Sequence, residues 1–150
     1  MKESPQMQKL NDLLRSSKLV AGGFMGSDTR SVSEIIDADA AQLARFGFTA
    51  RQVAARMQQI TDVAKTALGN WVKIDDKRQA QVQEAKGAIV CPWPHPGRFT
   101  KRVTTVNLIE SDKSIYWSDL NIHLITQHGF FEGKGSNFRI EPEILTKIIF

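Results

Sequence analysis

TARQVAARMQQITDVAKTALG, residues 49–69, carries the strongest periodic signal in the chain and decides how its first half folds. Its apolar residues recur in steps of four and three, which is the spacing of one helical face. Thr49 and Gln52 match a capping box, in which each side chain accepts a hydrogen bond from the other residue's backbone. Gly69 predicts where this helical pattern ends. The stretch therefore predicts a long helix whose apolar face comprises Val53, Met57, Ile60, Ala64 and Ala67.

Two further helices are predicted before this one. Ser4-Pro5 is typical of a helix start, and the apolar stripe behind it predicts a first helix that ends near residues 21–23. Ser31 and Glu34 match another capping box, and the helix that they begin is predicted to stop at Gly47. Residues 1–70 are therefore expected to form a helical half of about three helices.

After Trp71 the apolar pattern changes from helical spacing to alternation. The predicted strands are 72–74, 81–90, 101–109, 114–117 and 138–140; a short helix is predicted at 120–128, and a helix or strand at 142–149. The predicted fold class is α+β: the helical half packs on a small, mostly antiparallel β-sheet in residues 71–150, with one short inserted helix. A chain of this length predicts a single domain, residues 1–150.

Charge is spread evenly along the chain. Residues 1–70 hold nine basic and seven acidic side chains, and residues 71–150 hold eleven and nine, which together give the net charge of +4. Nucleic-acid binding needs clustered positive charge, so a nucleic-acid partner is disfavoured. A single cysteine suits a reducing compartment. The N-terminus lacks a signal-peptide pattern and no stretch is apolar enough to span a membrane, so we expect a cytoplasmic protein with no membrane partner.

Every cysteine, histidine, tyrosine and tryptophan lies between Trp71 and His128. Most of them belong to two segments, CPWPHPGRF at 91–99 and SDLNIHLITQHGFFEGKGSNFRIEP at 118–142. These segments resemble a group of bacterial proteins of uncharacterised function. The resemblance implies no activity, cofactor or catalytic residue. It indicates only where a site is to be sought.

One thiol and three imidazoles in these segments make a chemically acceptable zinc set: Cys91, His95, His123 and His128. On a helix that turns about 100° per residue, however, His123 and His128 lie roughly 140° apart and are not expected to face one ion. A metal-dependent hydrolase that uses Cys91, His95 and His123, with Glu132 as base, is an alternative. The favoured interpretation is that these histidines are core or cap residues, with no bound metal and no cofactor.

The segment around Cys91 has other interpretations. A histidine beside Cys91 would suit nucleophilic catalysis, but a cysteine at the end of an apolar strand is typically a small buried hydrophobe. Three alternating prolines, at 92, 94 and 96, predict a stiff extended segment. Such a segment would either display Trp93 and His95 or pack Trp93 inward over the sheet.

The glycine-rich run GFFEGKGS at 129–136 does not match a phosphate-binding P-loop, because its spacing is one residue short and glycine follows the lysine. Its amides could still form an anion-binding nest. We therefore expect a small ligand-binding domain for an anionic small molecule, with catalysis left open, whose site lies between the 91–98 loop and the 118–139 segment. The expected ligand-binding residues are Trp93, His95, Arg98, His123, His128, Lys134, Ser136 and Arg139.

Two alternatives belong to other functional classes. Residues 49–57, after the turn at Gly47, resemble a helix-turn-helix whose groove-facing side chains would be Arg51, Gln52 and Arg56. An ordinary αα-hairpin explains the same residues. A protein-interaction module is the other alternative, and it requires that Trp93, Phe130 and Phe131 be exposed together.

Overall fold

The computed structural model describes residues 4–20 and 22–150, and within these ranges it has five helices and four strands. The helices are α1 (Pro5–Arg15), α2 (Val32–Arg45), α3 (Ala50–Lys65), α4 (Asp119–His128) and α5 (Pro142–Ile149). The strands are β1 (Val72–Lys73), β2 (Arg78–Val90), β3 (Arg98–Leu108) and β4 (Ser114–Ser118). They form an antiparallel sheet in the order β1-β2-β3-β4. The predicted α+β class, with a helical N-terminal half, is confirmed.

The predicted helix starts are confirmed by their hydrogen bonds. Ser31 and Glu34 form a complete capping box at α2, and Thr49 and Gln52 form another at α3. Among the helices of the described ranges, none has the length and apolarity to cross a membrane.

One predicted boundary and one predicted strand are wrong. Helix α1 ends at Arg15 rather than near residues 21–23, because the chain doubles back and the Phe24 N–H donates to the Leu14 carbonyl at 2.7 Å. Ala21, part of that predicted end, lies outside the described residues. Residues 138–140 form no strand: Ile140 donates one backbone hydrogen bond to Phe131, and no ladder extends it. The segment at 142–149, predicted as helix or strand, is helix α5.

Two clusters of buried side chains make up the core, and α4 contributes to both. Ile122 and Ile125 belong to the cluster formed with α3, the sheet and α5. Leu120 and Leu124 belong to the cluster formed with α1, α2 and the segment around Phe24. Since both sides of α4 are covered, the helix has little freedom to rotate, and the orientation of its remaining side chains is fixed.

A buried hydrogen-bond chain connects α3 to the sheet. The Trp117 indole Nε1–H donates to Thr61 Oγ1 at 2.9 Å, and the hydroxyls of Thr61 and Thr104 are 2.7 Å apart. All three residues are fully buried. A polar group buried without a partner is costly, so Thr61 has to stay between the other two.

We expect Thr61→Val to lower the free energy of unfolding by about 1–3 kcal/mol, because Trp117 and Thr104 would lose their partner inside the core. Urea denaturation measures the change. Thr66→Val is the control, since Thr66 is exposed and its hydroxyl donates only to the nearby Val63 carbonyl; it should cost less than about 0.5 kcal/mol. Equal losses in the two variants would contradict a stabilising role for the buried chain.

Candidate metal centre

The loop between β2 and β3, residues 91–97, carries two of the chemistry-bearing side chains. Cys91 is buried directly after β2, and His95 is exposed. Bends occupy residues 92–95, and the His95 N–H donates to the Trp93 carbonyl at 2.9 Å. The prediction of a stiff extended segment is therefore wrong, because the chain turns here to enter β3. The turn returns His95 towards Cys91.

Helix α4 carries the other two candidate ligands, His123 and His128. Ser118 and Asn121 form the capping box at its start, and Gly129, with φ of 63°, ends it in the left-handed conformation. His128 is therefore the last helical residue, and its ring centroid lies 5.4 Å from that of His123. The expectation that these two histidines could not face one ion is wrong. The angle of about 140° describes where the two residues leave the helix axis, whereas both rings reach away from the axis and contact His95 of the loop.

The four side chains converge: one ligand atom from each of Cys91, His95, His123 and His128 lies within 4.8 Å of all the others. The His95 Nε2 is 3.1 Å from the His123 Nε2 and 3.3 Å from the His128 Nε2. The Cys91 Sγ is 3.5 Å from the His128 Nε2. Tetrahedral zinc, with Zn–N of about 2.0–2.1 Å and Zn–S of about 2.3 Å, implies N···N and N···S separations of roughly 3.3 and 3.6 Å. The three contacts therefore have the dimensions of a zinc site.

The hydrogen bonding of His95 fixes which of its nitrogens faces the cluster without a proton. Its Nδ1 lies 3.0 Å from the Pro96 carbonyl oxygen. A carbonyl can only accept, so Nδ1 carries the hydrogen and Nε2 of the neutral ring has a free lone pair. Histidines that bind metals usually donate their other N–H to a carbonyl or carboxylate in this way.

The surroundings favour the uncharged forms of Cys91, His123 and His128. Burial, and then repulsion from the other two histidines, lowers the pKa of His128 to about 4. Burial, and then His95, lowers the pKa of His123. Burial raises the pKa of the Cys91 thiol, with an opposing effect from the Trp93 backbone N–H. This shift is opposite to the one that activates a cysteine nucleophile, which gives the nucleophile hypothesis no support.

Aromatic side chains hold two of the rings. Trp93 stacks on His128 with centroids 4.1 Å apart and an interplanar angle of 9°. Phe99 lies 4.5 Å from the His123 ring. Phe99 was not among the predicted site residues, and its only signal is that it is the first aromatic residue after the proline-rich loop. Phe130 packs edge-on against Trp93.

The hypothesis that Trp93, Phe130 and Phe131 form an exposed protein-interaction surface is wrong. Phe130 and Phe131 are fully buried and Trp93 is only partly exposed. Phe130 and Phe131 follow the left-handed turn at Gly129, where the chain enters the core. They therefore stabilise the fold beneath the histidines and present no shared surface.

The remaining predicted ligand-binding residues have other partners. Arg139, predicted as a binding residue for an anionic ligand, pairs with Asp39 at 2.6 Å and Glu141 at 3.1 Å, and its side chain is 7% exposed. Its charge is already compensated, because α2 brings Asp39 to it. The Ser136 hydroxyl donates to Glu132 at 3.1 Å. Arg98 is exposed at the start of β3.

The glycine-rich run packs against residues 24–28. The Gly133 N–H donates to the Phe24 carbonyl at 2.8 Å, and a Cβ at Gly133 would overlap the Met25 backbone. The Lys134 N–H donates to the Asp28 carboxylate at 3.1 Å. The glycines therefore permit a close approach of two backbone segments, and an amide of the predicted anion nest already binds a carboxylate of the protein itself.

Two of the side chains expected to face a DNA groove are engaged within the chain. Arg56 donates to the Ile149 carbonyl at 2.8 Å and pairs with Asp75 at 3.3 Å. Gln52 caps α3, and Arg51 is exposed. Nucleic-acid binding through residues 49–57 remains a prediction, with little in this surface to support it.

Comparison of the chain with protein-family models, with curated proteins and with solved structures finds no match. The resemblance to the bacterial group therefore stays a prediction. Any functional conclusion has to come from the geometry of the site.

Glu132, the base of the hydrolase hypothesis, is not one of the converging ligands. Its side chain is buried, and it accepts hydrogen bonds from Asn121 at 2.8 Å and from Ser136. Burial raises its pKa to about 7, against the opposing effects of these two donors and of the Arg139 charge. The carboxyl group is therefore partly protonated at neutral pH.

This shift predicts a pH-dependent stability. Between about pH 4.5 and 7 the unfolded chain releases the Glu132 proton while the folded protein keeps it, so this group's contribution to stability is lost as pH rises through that window. The loss is on the order of 3 kcal/mol. We expect Glu132→Gln to abolish it, as measured by urea unfolding at several pH values. Glu143→Gln, at a partly exposed site, should retain it; parallel pH profiles of wild type and Glu132→Gln would contradict the assignment.

Proposed function

We propose that the protein binds one zinc ion through Cys91, His95, His123 and His128, and that the ion ties the β2–β3 loop to the end of α4. The observation that carries the proposal is the convergence of one sulfur and three nitrogens within 4.8 Å of one another, with three of their contacts at 3.1–3.5 Å. These separations suit a tetrahedral ion. The proposal replaces the expectation that the protein binds no metal.

Hydrogen bonding alone accounts less well for the cluster. The His95 Nε2 has one in-plane lone pair, because Nδ1 carries the proton. Two other ring nitrogens, those of His123 and His128, both lie within 3.3 Å of it. One lone pair can accept only one of their protons well. An ion that accepts a lone pair from each of the three nitrogens would satisfy all of them.

The ligand types favour zinc. Thiolate and imidazole suit zinc, copper, iron and nickel, whereas magnesium and calcium prefer oxygen ligands. The converging group in the described part of the chain contains no carboxylate. Four protein ligands fill a tetrahedral shell, as in structural zinc sites, and leave no position for a water. We therefore propose a structural rather than a hydrolytic ion.

The hydrolase alternative uses Cys91, His95 and His123 and differs in the role of His128, which would leave the fourth position to water. His128 touches both Cys91 and His95 and is stacked on Trp93. These contacts support its being a ligand. Glu132, the base in that alternative, is instead hydrogen-bonded to Asn121 and Ser136.

The anionic-ligand hypothesis has weaker support. Arg139 is neutralised by Asp39 and Glu141, and the Lys134 amide donates to Asp28. His95, His123 and His128 are better explained as ligands of a cation. Arg98 and the Lys134 side chain are the exposed charges that remain from the predicted set.

Purified without a histidine tag and reconstituted under reducing conditions, the protein is expected to retain about one zinc per chain, measured by plasma mass spectrometry. Cys91→Ala, His95→Ala, His123→Ala and His128→Ala should each weaken zinc affinity by more than about 100-fold, which exceeds the usual effect of losing a supporting contact. Competition with a chromophoric chelator measures the affinity. Gln127→Ala, at the exposed residue beside His128, is the control and should bind as wild type does.

The same series separates the two metal hypotheses. If His128→Ala alone kept wild-type affinity, and the zinc protein hydrolysed an activated ester faster than zinc-free protein, the three-ligand hydrolase would replace the structural site. If the reconstituted wild type bound zinc no better than the four variants, there would be no metal centre.

A further inference from the structure

A cavity of about 350 Å³ lies against the second half of β2 and the first half of β3. Its size falls within the range of small-molecule pockets, about 300–1,000 Å³. Its walls come from β2, β3, β4 and α4 and from the loop segments around Phe24 and Phe138, and the walls are mostly apolar. The apolar lining includes Val20, Phe24, Ile89, Val103, Leu120 and Phe138.

Glu132 lines this cavity although the residue is only 5% exposed. Its Oε2 accepts from Asn121 and its Oε1 from Ser136, both neutral donors. In residues 4–20 and 22–150 no cation forms an ion pair with its carboxylate; Arg139 donates to its backbone carbonyl instead, at 2.8 Å. A buried carboxylate without a counter-ion is unfavourable. A cation inside the cavity would compensate the charge of the Glu132 carboxylate.

The backbone conformation of Glu132 is a second unfavourable feature of this residue. Its φ of 68° is left-handed, a conformation that is unfavourable for a residue with a Cβ. Glycine adopts this conformation without that strain, and the neighbouring run already contains several glycines. The chain nevertheless places a carboxyl group there, at the wall of an apolar cavity.

We propose that this cavity binds a small apolar amine, whose ammonium group pairs with Glu132 and whose hydrocarbon part contacts the apolar walls. A ligand with a carboxylate would bring like charge to Glu132, and a neutral ligand would leave Glu132 uncompensated. Lys101, the other charged residue of the described lining, is exposed, so its positive charge is in contact with water. This site is separate from the zinc site and does not depend on the ion.

The test uses three probes of one chain length: hexylamine, hexanol and hexanoate. At pH 8 hexylamine is protonated and Glu132 is mainly ionised, so we expect hexylamine to bind at least about ten-fold more tightly than hexanol, and hexanoate to bind most weakly. Isothermal titration calorimetry measures all three. The same order is expected with and without a zinc chelator, which excludes coordination of the amine by zinc.

One variant tests the carboxylate of the site and another tests its apolar cavity. Glu132→Gln should reduce hexylamine affinity to that of hexanol, whereas Glu84→Gln, at an exposed position of β2, should not. Val103→Phe, which fills the cavity and keeps Glu132, should weaken hexylamine and hexanol alike, so the cavity is tested even if Glu132→Gln fails to fold. Equal binding of the three probes, or binding of none at millimolar concentration, would overturn the proposal.

Discussion

The burial of α4 on both of its sides is the constraint on which the rest of the structure depends. Ile122 and Ile125 pack towards α3 and the sheet, and Leu120 and Leu124 pack towards the first two helices. Rotating α4 would expose one set or the other, at about 1.5–3 kcal/mol for each large apolar side chain. His123 and His128 therefore occupy fixed positions at the edge of the helix that faces the β2–β3 loop.

The loop is held against this edge by the same kind of packing. Pro92 is buried, and Trp93 lies between the His128 ring and the edge of Phe130. This packing restricts the positions that the four proposed ligands can take. Restriction of this kind lowers the entropic cost of binding. An ion bound there would connect the sheet hairpin to α4 and would add its binding energy to the stability of the folded chain.

Much of the fold could be predicted because its signals are local. Ser31, Thr49 and Ser118 begin their helices with partners three residues away, and the change from helical spacing to alternation locates the sheet. The end of α1 was mispredicted because it depends on a contact with Phe24, which lies beyond the helix. Such contacts are not encoded in the periodicity of a single segment.

The residues of the proposed metal centre could be chosen from the sequence, but their geometry could not. The residue types at 91–95 and 123–128 make a chemically acceptable zinc set, yet the helical angle between His123 and His128 argued against it. That angle leaves out His95, whose position depends on bends in a loop and on its bond to the Pro96 carbonyl. Arg139 was predicted to bind a ligand, whereas it pairs with Asp39. The sequence does not indicate this pair, because Asp39 is a hundred residues away and only the tertiary fold brings the two together.

X-ray absorption at the zinc edge tests the proposed metal centre most directly, because it measures the ligand atoms around the ion. For the zinc-reconstituted protein we predict four ligands: three nitrogens at about 2.0–2.1 Å and one sulfur at about 2.3 Å. A shell of oxygen and nitrogen only, without sulfur, or one with more than four ligands, would contradict this prediction.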